Sequence, residues 1–138
     1  MICDTGGIIS GLIANQPHHE RCLAAINEAD RLIVSPLVLC ELECLVTKRH
    51  GDNIAARVLA RLAEPEYEMA TFDSSDLLAA LEIMRTYEDL NIGLTDASLV
   101  ILAKRYKTNE ILTLDQRHLR AMRGFDGRHF RLRPFDID

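Results

Sequence analysis

The sequence has no tryptophan, few aromatics (three tyrosines and four phenylalanines) and no low-complexity tract. With 48% hydrophobic and 27% charged residues, that composition belongs to a soluble globular chain and excludes a disordered one. No apolar run approaches the roughly 20 residues that a membrane helix needs, and the N-terminus lacks the charged-then-apolar pattern of a secretion signal. A cytoplasmic protein is therefore expected. None of the four cysteines, Cys3, Cys22, Cys40 and Cys44, stands in CxxC spacing; they read as small buried hydrophobes rather than as metal ligands or disulfide partners. No internal repeat or linker-like stretch divides the chain, and 138 residues make one domain of ordinary size, expected to span 1–138.

Positive charge is also scarce. The net charge of -5 argues at first against a nucleic-acid partner, because neutralising phosphates is the main source of affinity for one. The distribution softens that argument. Residues 1–100 hold 7 Lys/Arg against 16 Asp/Glu, whereas residues 101–138 hold 9 against 5. Lys104, Arg105, Lys107, Arg117, Arg120, Arg123, Arg128, Arg131 and Arg133 make the C-terminal part basic, although a solvated charged face is the better explanation for any one of them.

Strand-like and helix-like segments alternate. "MICD", "RLIVS", "YEMATF", "EILTL" and "FRLRPF" read as strands. Between them, "HHERCLAAINEA" after Pro17, "LVLCELECLVTKRH" after Pro36, "NIAARVLARLA", "SDLLAALEIMRTYEDL" and "TDASLVILAKRY" read as helices. Strands separated by helices of this length require crossover connections and a mainly parallel sheet covered on both faces. The expectation is an α/β fold, a three-layer sandwich, which would bind ligands outside the carboxyl ends of its strands.

Four carboxylates occupy places where such a fold could gather them. Asp4 ends the first strand, and Asp115 ends "EILTLD" in the same apolar-then-acid manner. Either could simply cap the helix that follows. On a helical wheel, Glu41 falls in the middle of a stripe of Leu37, Val38, Cys44 and Leu45. An inward carboxylate is costly unless paired, protonated or bound to a metal, and an ion pair with an arginine is the structural alternative. Asp96, in "GLTDAS", falls in a first helical turn with Thr95 as its expected cap, where the helix dipole favours it. Converging acids repel one another and stay ionised only with cations among them. Oxygen ligands without His or Cys suit Mg²⁺ or Mn²⁺, an arrangement that cuts phosphodiesters through an activated water.

"MICDTGG", "PLVLCELECLV", "LNIGLTDASLVILAKR" and "ILTLDQRHLR" resemble, in order and spacing, the motifs of PIN-domain ribonucleases, most closely the VapC-type toxins of prokaryotic toxin–antitoxin pairs. The resemblance covers essentially the whole chain. It implies a metal-dependent endoribonuclease with Asp4, Glu41, Asp96 and Asp115 as metal-binding, catalytic acids. Thr5 and Thr113 match the hydroxyls that support those acids or a bound water, and Gly6 stands where many relatives have Ser or Asn. The resemblance also implies an RNA substrate, a homodimer and a small antitoxin protein seated in the active-site groove. Asp4, Glu41 and Asp96 would hold the ion, Asp115 the attacking water or a second ion, and the products would carry 5′-phosphate and 3′-hydroxyl ends. Arg117, His118 and Arg120 are candidate RNA contacts, with a surface position on a basic helix as the plainer reading of His118. The "HHE" at 18–20 reads as structural.

Two rival classes lack their residues. A haloacid-dehalogenase-like enzyme wants an aspartate where Gly6 stands, and a receiver domain wants an acidic pair where "ICDTG" offers a single acid. The remaining alternative is a catalytically weak PIN-fold module for protein interaction or RNA binding, its acids serving folding or docking.

Overall fold

The computed structural model describes residues 1–137. Five short parallel strands form one sheet: β1 (Ile2–Cys3), β2 (Leu32–Val34), β3 (Tyr67–Met69), β4 (Glu110–Leu112) and β5 (Arg131–Arg133), in the order β3-β2-β1-β4-β5. Successive residues of a strand point to opposite faces, and both residues of β1 and all three of β2 are buried. Both faces of the sheet are therefore covered. The covering helices are α1 (Thr5–Leu12), α2 (His19–Glu28), α3 (Pro36–His50), α4 (Asp52–Leu62), α5 (Ser74–Thr86), α6 (Leu94–Tyr106) and α7 (Gln116–Ala121). The three-layer α/β architecture read from the alternating pattern is the one observed, with the sheet parallel throughout.

Helix α1 does not announce itself in the sequence. Its residues TGGIISGL include three glycines, poor helix formers, and Thr5, Gly7, Ile8, Ile9, Ser10 and Gly11 are all buried, so no polar stripe marks a period. The fold explains the glycine at position 7. A Cβ there would lie 2.6 Å from the backbone oxygen of Leu112, so α1 can press against the end of β4 only if that residue has no side chain.

The strand order reverses at β1 and β4: the chain runs outward from β1 through β2 to β3, then crosses back to β4 and β5. The Asp4 N–H donates to the Leu112 carbonyl at 2.8 Å, which ties the two carboxyl ends together. A crevice at such a reversal is where parallel α/β sheets place their ligands.

The cysteine expectation holds for Cys3 and Cys22, which are buried, and fails for Cys40 and Cys44, which are exposed. The buried stripe of α3 consists of Val38, Leu42 and Val46. The face inferred from the wheel is thus displaced by about one residue's rotation, roughly 100°.

Candidate active site

Asp4 caps α1 from the end of β1. Its Oδ1 accepts the Thr5 backbone N–H at 2.8 Å, and its Oδ2 accepts the Thr113 hydroxyl at 2.7 Å. The residue is 8% exposed. Burial above all pushes the carboxyl up to about 6; the two hydrogen bonds oppose this, and the nearby charges of Asp96 and Glu41 add to it.

Thr113 does two things with one hydroxyl. It donates to Asp4 and accepts the Asp115 N–H at 3.0 Å, so the two strand-end acids share a single buried pivot. Asp115 caps α7, accepting the His118 N–H at 3.1 Å on Oδ1, while its Oδ2 lies 2.7 Å from His118 Nδ1. The surface reading of His118 is thereby corrected. The ring is half-buried and committed to the carboxylate, because capping brings residue 118 one turn on from Asp115 onto the same side.

Asp96 stands in the first turn of α6, but the cap is Gly93 rather than Thr95: the Gly93 N–H donates to Asp96 Oδ2 at 3.2 Å. Burial raises its carboxyl pKa above the ordinary range, helped by the charges of Asp115 and Glu41 and opposed by the Gly93 bond and His118. One ligand atom from each of Asp96, Asp115 and His118 lies within 4.8 Å of the others.

Glu41 corrects the wheel. It is exposed rather than set in the apolar face, and no described residue ion-pairs with it, so the buried arginine pair does not exist. It nevertheless reaches the same place. Asp4, Glu41, Asp96 and Asp115 all line one cavity of about 510 Å³, together with Thr5, Gly6, Ile9, Ser10, Gln16, Pro17, Leu45, Arg49 and Leu114. A mostly apolar cavity of about 550 Å³ between α1, α2 and α4, lined by Ile13, Leu23 and Ile54 among others, holds no carboxylate.

The donor set fits a hard divalent cation. Four carboxylates line one space, and two of them, Asp4 and Asp96, have pKa values raised by burial first and then by neighbouring carboxylates. Thr5 Oγ1 is buried in the lining of that space with no hydrogen-bond partner among the described residues, a polar atom that a hydrated ion's water would satisfy.

A link between walls escapes sequence reading. Ser35, the cap of α3, and Ser98, on α6, are fully buried with their hydroxyl oxygens 2.9 Å apart. Ser98 donates to the Thr95 carbonyl at 2.6 Å, which leaves Ser35 to donate to Ser98. The pair fixes the helix that carries Glu41 against the helix that carries Asp96.

The candidate RNA contacts are dispersed. Arg120 is held by Asp136 at 2.9 Å and by Gln116 at 2.9 Å, Arg117 is exposed, and neither lines the cavity. The "HHE" segment is structural as expected: His19 Nδ1 lies 2.7 Å from the Ser10 carbonyl, and His18 stacks edge-on with Phe135.

The PIN domain family matches residues 1–124. Ribonuclease VapC26 of Mycobacterium tuberculosis (strain ATCC 25618 / H37Rv) is 39% identical over 135 residues, which cover 97% of this chain and 100% of that one. The crystal structure of M. tuberculosis VapC20, described as a sarcin-ricin loop cleaving toxin, superimposes with a TM-score of 0.77 at 14% identity, over 84% of this chain and 90% of that one. That similarity bears on the fold.

Proposed function

The chain belongs to the PIN-domain family, and from that premise we propose that it is a metal-dependent endoribonuclease, the toxin of a toxin–antitoxin pair. The observation that carries the reading is the convergence of Asp4, Glu41, Asp96 and Asp115 on one cavity at the strand-order reversal. The VapC26 relative, a ribonuclease matched along its full length, supports the same assignment.

Asp4, Glu41, Asp96 and Asp115 are the residues that would hold the ion, Mg²⁺ or Mn²⁺. When bound, it supplies a water of lowered pKa and positive charge for the leaving oxygen. The remaining work belongs to the chain. Thr113 and the Thr5 N–H fix the orientation of Asp4. His118 and the α7 cap fix Asp115, which leaves that carboxylate turned toward Asp96 and available to orient a water. The unpartnered Thr5 hydroxyl can accept or donate to that same water. No histidine is needed as general base.

By similarity to VapC proteins, the substrate is a single-stranded or looped RNA, the partner is an antitoxin protein that occupies the cavity, and the assembly is a cytoplasmic homodimer of this one domain. No described helix is long and apolar enough to cross a membrane.

The test is cleavage of pooled cellular RNA by the purified chain with Mn²⁺, with EDTA, and with Asp4→Asn and Asp96→Asn, reading fragment ends by sequencing. Cuts that need Mn²⁺, carry 5′-phosphates and fall at least about a hundredfold in both variants are the expected result. Absence of cutting by folded, antitoxin-free protein, or EDTA-resistant cyclic-phosphate ends, refutes it.

A further inference from the structure

Helix α3 carries a residue that the proposed chemistry leaves unused. Glu41, Leu45 and Arg49 recur at four-residue intervals, which places them on one stripe, and all three line the cavity. Arg49 is the only cation among those lining residues. Eight residues at 1.5 Å each set it about 12 Å along the helix axis from Glu41.

Its surroundings distinguish it from the other arginines near the site. Arg49 is exposed, and no described residue forms a hydrogen bond or ion pair with its guanidinium. Arg120, by contrast, is committed to Asp136, and Arg117 is outside the cavity. Three basic residues, Lys48, Arg49 and His50, occupy the last turn of α3, where the helix dipole favours positive charge. Lys48 serves that purpose without lining the cavity, so the dipole alone does not account for the arginine that does.

Four carboxylates at one end of a groove repel a polyanion. A guanidinium in the lining of the same cavity attracts it, and its planar fork matches two phosphate oxygens. We propose that Arg49 holds a non-reacting phosphate of the RNA strand, so that the strand runs along α3, across Leu45, from the acids to the arginine. This rests on the ribonuclease reading above. The backbone of Arg49 lies about two helical turns beyond that of Glu41, which assigns the arginine to the register of the strand rather than to the bond being cut.

Binding of a short random-sequence single-stranded RNA, labelled with a fluorophore, tests this in an Asp96→Asn background where cleavage is removed. Titrations at several NaCl concentrations compare that protein with its Arg49→Ala and Arg49→Lys derivatives. Arg49→Ala is expected to weaken binding several-fold and to make the log–log salt dependence shallower by about 0.7, the value of one phosphate on a single strand. Arg49→Lys should keep the slope and recover part of the affinity, because the charge stays and the fork is lost.

Unchanged affinity and slope in Arg49→Ala overturn the proposal, even if the wild type cuts RNA; absence of cutting would count against the ribonuclease reading alone. The single variant Arg49→Ala should retain the rise in Tm that Mn²⁺ gives the wild type. Loss of that rise together with RNA binding would assign Arg49 to the integrity of the cavity and equally overturn its role as a phosphate ligand.

Discussion

Burial holds the Asp4 carboxyl at about 6, against an ordinary 3.8, and this links the residue's charge to the stability of the fold. The folded chain keeps the proton more tightly than the unfolded chain does. The contribution is therefore fully present below about pH 4 and lost as the pH rises through about 6, at a cost of roughly 3 kcal/mol. At neutral pH a cation can restore it: an ion at a hundred times its Kd stabilises by about 2.7 kcal/mol. Metal-free protein should thus lose Tm between pH 4 and pH 7, and Mn²⁺ should raise Tm at pH 7.5 and do so less at pH 5, where it must displace a proton. Asp4→Asn should lose both the pH step and the Mn²⁺ response. Scanning calorimetry reads all of these, and a wild type indifferent to Mn²⁺ would favour a docking module without a metal site. At this scale the sequence was legible where an acid follows a strand, as at Asp4 and Asp115. It was misleading at His118, whose bond to Asp115 depends on how a cap turns one carboxylate.

Among the elements, α1 and α3 show what periodicity does and does not carry. Helix α1 is buried nearly all round because it wedges between β4 and α2, so no pattern betrays it. Helix α3 was recognised with the wrong face inward. Its fully buried stripe, Val38, Leu42 and Val46, is narrow, and on its flank Leu45 both packs against the core and lines the cavity. Adjacent glycines of α1 make the packing measurable. At Gly6 a new Cβ would meet Leu114 at an ordinary 3.5 Å, whereas at Gly7 it would come within 2.6 Å of Leu112 backbone. Gly6→Ala should be neutral or stabilise by up to about 1 kcal/mol through helix propensity. Gly7→Ala should destabilise by roughly 1–3 kcal/mol, because α1 must move away from β4. Urea unfolding of the two variants separates them, and equal midpoints would show that α1 does not press on β4 as described. Since α1 carries its cap, Asp4, any such movement should also weaken Mn²⁺ binding in Gly7→Ala.

Across the whole molecule, the surplus of basic residues after position 100 softens the argument against an RNA partner, and the fold pairs four of the nine with acids. Arg105 pairs with Asp76 at 2.7 Å, Arg120 with Asp136 at 2.9 Å and Arg133 with Glu28 at 3.1 Å, while Arg131 and Arg133 both approach Glu110. Asp76 and Glu28 come from distant segments, which is why counting along the chain could not foresee those two pairs. Arg123 lies against His129 instead, at 2.9 Å. Lys104, Lys107, Arg117 and Arg128 are exposed with no acidic partner among the described residues, but none lines the cavity, and the acidic remainder opposes binding at long range. RNA association should be driven by a small number of contacts near the cavity. The logarithm of the association constant for single-stranded RNA should fall with the logarithm of NaCl concentration with a slope of about −1 to −3, at roughly −0.7 per phosphate. Engagement of all nine basic residues would instead give about −6, which would mean that the ion pairs open on binding. Substituting Arg128, exposed and far from the acids in sequence, should then leave the shallow slope unchanged, whereas a steep slope reduced by Arg128→Ala would return the C-terminal surface to the interface.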